Sequence, residues 1–76
     1  MWEVIGFEMQ EDDAGQVTAY TVHLAKEYRA GGEGKRSKRV WYRKSEHAYV
    51  PVVGQTVMVE TEVRGKFEAL VDIYPV

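Results

Sequence analysis

The chain has 76 residues, no cysteine, 45% hydrophobic and 29% charged residues of mixed sign, and a formal net charge of −2. These values exclude disulfides and thiolate metal sites, argue against disorder, and allow one small domain that must be held by packing or by association. The N-terminal MWEVIGFEMQEDD has neither a basic n-region nor a long apolar run. It is therefore expected to be neither a signal peptide nor a membrane anchor, and the protein is expected to be soluble and cytoplasmic.

Trp2 to Met9 is short, aromatic and β-branched, and runs into the acidic turn Glu11-Asp12-Asp13-Ala14-Gly15. It reads as a strand with apolar side chains on both faces, Trp2 and Val4 on one, Ile5, Phe7 and Met9 on the other. Gln16 to Tyr28 ends in good helix formers, but its alternation has period 2: Tyr20, Val22 and Leu24 face one way, Thr21, His23 and Ala25 the other. It is expected to pair with the first strand as a hairpin.

Arg29 to Ser37 holds Gly31, Gly32 and Gly34 without a large apolar residue, so a loop is expected there, followed by a third strand over Lys38 to Lys44. Within Arg29 to Lys44 lie seven of the ten Lys and Arg residues (Arg29, Lys35, Arg36, Lys38, Arg39, Arg43 and Lys44) against one acid, Glu33. The segment carries +6, which leaves −8 on the rest of a chain that totals −2. Alternation puts Val40 and Tyr42 on one face, and sets Trp41 between Arg39 and Arg43 on the other.

Ser45 to Tyr49 has room for one helical turn capped by Ser45, ended by Val50 and Pro51. Beyond the turn marked by Pro51 and Gly54, Val57, Val59, Thr61 and Val63 alternate with Met58, Glu60 and Glu62. Arg64 and Gly65 form a two-residue connection, and Lys66 to Tyr74 returns with Phe67, Ala69, Val71 and Ile73 on one face. Five strands and at most one short helical turn predict an all-β domain spanning residues 1–76, a small five-stranded barrel of the OB kind, with the SH3-like kind as alternative. Its expected core is Ile5, Phe7, Tyr20, Val22, Leu24, Val40, Val57, Val59, Phe67, Val71 and Ile73.

Val4-Ile5-Gly6 near the start, the acidic turn with Gly15, Leu24, Trp41, and PVVGQTVMVE followed by Arg64-Gly65-Lys66 resemble a group of small β-barrel proteins of phages and conjugative elements of Gram-positive bacteria. The resemblance spans nearly the whole chain. It implies an OB-like barrel and, by analogy with the helix-destabilising proteins of filamentous phages, a role on single-stranded nucleic acid.

A single-strand site needs cations to follow phosphates and flat side chains on which bases stack. Arg29, Lys35, Arg36, Lys38, Arg39 and Arg43 are the candidates for the first, and Trp41, Tyr42 and Tyr49 for the second. The alternative is an assembly module, a homodimer or docking subunit, built on the two-faced first strand, the row Thr21, His23 and Ala25, and the outward Leu70 and Tyr74. No enzyme is expected. Ser45, Glu46 and His47 are consecutive and do not make a triad, two histidines without cysteine do not make a metal site, and Gly34-Lys35-Arg36 departs from the nucleotide-binding G-K-[ST]. Hence no cofactor, no small-molecule substrate and no membrane partner is expected.

Overall fold

A computed structural model describes residues 1–27 and 32–76. Five strands follow one another: β1 (Trp2–Glu11), β2 (Val17–Glu27), β3 (Lys35–Arg43), β4 (Thr56–Arg64) and β5 (Phe67–Pro75). They form one antiparallel sheet in the order β3-β2-β1-β4-β5. The acidic connection between β1 and β2 is a turn built around Asp12. Its Oδ1 accepts from the backbone N–H of Ala14 at 2.9 Å and of Gln16 at 3.0 Å, and Gly15 takes φ +79°. A short carboxylate closing on the backbone two residues ahead is why aspartate suits this position.

The third strand begins three residues earlier than the sequence suggests, because Lys35, Arg36 and Ser37 pair with Glu27, Lys26 and Ala25. Ladder hydrogen bonds to β2 give this polar stretch a partner that its composition does not advertise. In place of a helical turn, Lys44 to Glu46 form a turn in which the carbonyl of Arg43 accepts from Glu46 N–H at 2.9 Å and His47 N–H at 3.3 Å. The β4–β5 hairpin closes on Gly65 and Lys66, one position later than expected. Gly65 has φ +60° and Lys66 does not have positive φ, the signature of a type II′ turn, which favours glycine at its first central position.

The expected closure into a barrel is not made. β4 joins β1 through just two ladder pairs, Trp2↔Val57 and Glu3↔Thr56, and the hairpin then diverges from the rest of the sheet. β3 and β5 touch across a seam without a shared ladder, bridged by an ion pair between Lys38 and Glu68.

The core consists of Val4, Tyr20, Val22, Leu24, Val40, Tyr42, Tyr49, Val57 and Ile73, with Trp2, Phe7, Val17, Val59 and Leu70 packed against it. Three expected members lie outside: Ile5 is 50% exposed, Val71 45% and Phe67 73%. Two register shifts are the cause. Ile5 is the extra residue between Val4 and Gly6, and Val71 is the extra residue opposite Glu60 and Thr61. A bulge advances the alternation by one, so Val4 and Phe7 share the inner face, as do Ile73 and Leu70. Leu70 therefore packs inward rather than facing out, Ala25 is buried instead of standing in an exposed row, and Tyr74 is exposed as expected. Past its bulge, β5 directs Phe67 away from the side that carries Glu68 and Leu70.

Candidate nucleic-acid interface

Alternation along β3 divides the expected site residues between two faces of the sheet. Lys35, Arg39, Trp41 and Arg43 are exposed and share one parity, while Val40 and Tyr42 are buried in the core. Arg36 and Lys38 have the parity of the core residues and come together at the far end of that face. Arg29 lies outside the described residues.

On the outer face, Trp41 is 46% exposed. Its indole N–H donates to Gln10 Oε1 at 3.1 Å, reaching across β2, and the Arg43 guanidinium lies 5.6 Å from the ring centroid. One end of the indole is thus fixed by a hydrogen bond, and the Arg43 contact is a cation–π pair. Arg39 stands opposite His23 in the ladder, and His23 Nε2 is 3.3 Å from Glu8 Oε1. Glu46 is 3.9 Å from Arg43. The face therefore presents an anchored flat ring between two arginines, with acids paired at its margins.

Tyr42 and Tyr49 cannot serve as stacking rings, a correction to the expectation. Tyr42 is 2% exposed and donates its hydroxyl to the backbone carbonyl of Tyr49 at 2.8 Å. Its ring also packs at 5.7 Å on Tyr20 and edge-on at 5.5 Å to His47. Tyr49 is buried too, with its hydroxyl 2.6 Å from Gln55 Oε1. Burial pushes both hydroxyls above the ordinary tyrosine value, Tyr42 most strongly, where Tyr49 and Tyr20 add to the effect. These two rings tie the connector 44–55 to the sheet, a structural role.

At the other end of the inner face is a cluster that the chain order conceals. The Trp2 ring has Lys26 Nζ at 4.6 Å from its centroid, Lys38 Nζ at 5.7 Å and the Arg36 guanidinium at 6.0 Å. Trp2 and Lys26 are not among the residues that sequence reasoning nominates. The signal that finds them is register: Glu3 pairs with Ala25 and Lys26 with Arg36, which sets β1, β2 and β3 side by side at that position. Glu68 pairs with Lys38 across the seam, and its carboxyl is held below the ordinary value, first by the hydrogen bond from Lys38.

Between the free edge of β3 and the β4–β5 hairpin lies an open groove of about 530 Å³, whose walls include Arg39, Trp41, His47, Arg64, Glu68 and Leu70. The stretch Ser45-Glu46-His47 is spread apart, with Glu46 toward Arg43 and His47 Nδ1 3.8 Å from Asp72. Among the described residues there is no group of three or more metal-ligating side chains, and no helix long and apolar enough to cross a membrane. Comparison of the chain with protein-family models, with curated proteins and with solved structures found no match.

Proposed function

We propose that this protein is a non-enzymatic module of the OB type, of phage or mobile-element kind, that binds single-stranded nucleic acid through the outer face of β3. The observation that carries the reading is Trp41, exposed between Arg39 and Arg43 and anchored by Gln10. A half-exposed indole costs solvation without contributing to the core, and stacking of an unpaired base on it is worth about 1–3 kcal/mol. Flanking guanidinium groups hold phosphates on either side of the stacked base. The strand order supports the OB type: read around a ring it runs β1-β2-β3-β5-β4, with the seam between β3 and β5 left partly open.

Titration with a single-stranded oligonucleotide in a Trp2→Phe background, where Trp41 reports alone, tests this. Fluorescence should be quenched, with an affinity that weakens as salt rises. Trp41→Ala should lose about 5- to 150-fold in affinity, the equivalent of that stacking energy, while keeping its fold. A folded protein showing no quenching at low salt would remove the reading.

A second reading, a homodimer or docking subunit, is favoured by the hairpin tip. There Val63 on β4 and Phe67 on β5 are 76% and 73% exposed, and β5 is the end strand of the sheet among the described residues. Sedimentation at high concentration decides it, because a monomer removes the homodimer form.

A further inference from the structure

Three cations gather within about 6 Å of the Trp2 centroid. Gathered on one ring, these like charges repel one another, and nothing but solvent screening offsets that repulsion unless an anion lies among them. Among the described residues the ion pair found at this cluster is Lys38 with Glu68, so the cluster of Lys26, Arg36, Lys38 and Glu68 has a net charge of +2. An arrangement that collects repelling cations on an aromatic ring is suited to an anion. The cluster sits at the end of the sheet's inner face, and β3, which carries two of the three cations, is the end strand of the order, with no further strand paired to its outer edge among the described residues.

We infer that the Trp2 end is a second phosphate-binding locus. A single strand stacked on Trp41 passes over the free edge of β3, and its phosphodiesters reach Lys26, Arg36 and Lys38. This rests on the reading of Trp41 as a stacking platform. Trp41 and Arg36 are five residues apart on an extended strand, about 17 Å, so one oligonucleotide of modest length spans both. The path explains why the basic residues of β3 are useful on both of its faces: the ligand crosses the strand rather than running along one side of it. Trp2 itself is covered by the cations and acts as a platform that holds them in place.

The test compares the wild-type protein, Lys26→Gln/Arg36→Gln and Arg39→Gln/Arg43→Gln. Glutamine keeps part of the stem over each ring while removing the charge. Each folded protein, checked by circular dichroism, is titrated at 50 and 200 mM salt with oligothymidylates of about 12 and about 3 nucleotides. For single strands the slope of log affinity against log salt is about −0.7 per phosphate contact. Lys26→Gln/Arg36→Gln should therefore flatten the slope for the 12-mer by about 1.4, so that its disadvantage against wild type shrinks about sevenfold over this salt range. The 3-mer, too short to reach from Trp41 to the cluster, should bind both proteins alike.

An unchanged slope in Lys26→Gln/Arg36→Gln, with a flattened one in Arg39→Gln/Arg43→Gln, overturns the second locus and leaves the Trp41 reading intact. Equal weakening of the 3-mer overturns the continuous path. No binding by the wild type removes both. If the double variant does not fold, the single Arg36→Gln, at an exposed position, carries the same test with an expected change of about 0.7.

Discussion

The two faces of β3 share nine residues and do opposite work. Inward, Val40 and Tyr42 are packed and the Tyr42 hydroxyl is committed to a backbone carbonyl; outward, Arg39, Trp41 and Arg43 are open. The difference teaches that a count of rings along a strand overstates a site, since alternation commits one of the two rings of β3, Tyr42, to the core. It also says how the residues come apart under mutation: changes at the packed Val40 and Tyr42 should cost stability, changes at Trp41 and its flanking arginines binding.

The largest effect is expected at Leu24, fully buried in β2 where it pairs with Lys38. Leu24→Ala should cost about 2–5 kcal/mol, a large part of the roughly 4–11 kcal/mol that a chain of this length has. The urea midpoint measures it. A change below about 1 kcal/mol would mean that the inner face is not packed as described.

Tyr42→Phe is a smaller change on the same face. It leaves the buried Tyr49 carbonyl without its donor, at a cost of about 1–3 kcal/mol. It also alters the response to alkali. Because burial, with Tyr49 and Tyr20 nearby, raises the Tyr42 hydroxyl above its ordinary value of 10.0, the folded protein holds that proton to higher pH than the unfolded chain. The stabilisation is whole below about pH 10 and is lost as pH rises further. Wild type should therefore lose stability above pH 10 more steeply than Tyr42→Phe, and parallel pH profiles of the two proteins would contradict this.

Strand number, the chain order of the strands and most of the inner residues of β2 were legible in the sequence, because Tyr20, Val22 and Leu24 follow an unbroken period of two. Legibility failed where one residue breaks the period. Ile5 and Val71 look like core from their chemistry, but each is the extra residue of a bulge, and bulges depend on the partner strand. The site divided in the same way. Trp41 between two arginines follows from local alternation. The Trp2 cluster draws on residues from three strands and depends on register, so no local pattern reveals it. Tyr42 and Tyr49 were misjudged because tyrosine suits a stacking surface and a hydrogen-bonded core equally well.

The smallest predicted effect is at the seam and sharpens the comparison from the opposite direction, as a gain. Glu68 pairs with Lys38, whose charge it offsets. Its carboxyl is held below the ordinary value of 4.5, so whatever stability the pair contributes is present above about pH 4.5 and is lost as pH falls through the lower, folded-state value. Both partners are partly exposed, which makes that contribution minor. Glu68→Gln should thus melt close to wild type at pH 7 and lose less stability on acidification. It should also bind oligonucleotide slightly more tightly, with a salt slope steeper by up to about 0.7, because Lys38 no longer has to leave a carboxylate before meeting a phosphate. Tighter binding with that steeper slope would place Lys38 in the phosphate path. An unchanged slope would mean that Lys38 serves only to hold β3 against β5, leaving Lys26 and Arg36 as the cations of the inner face.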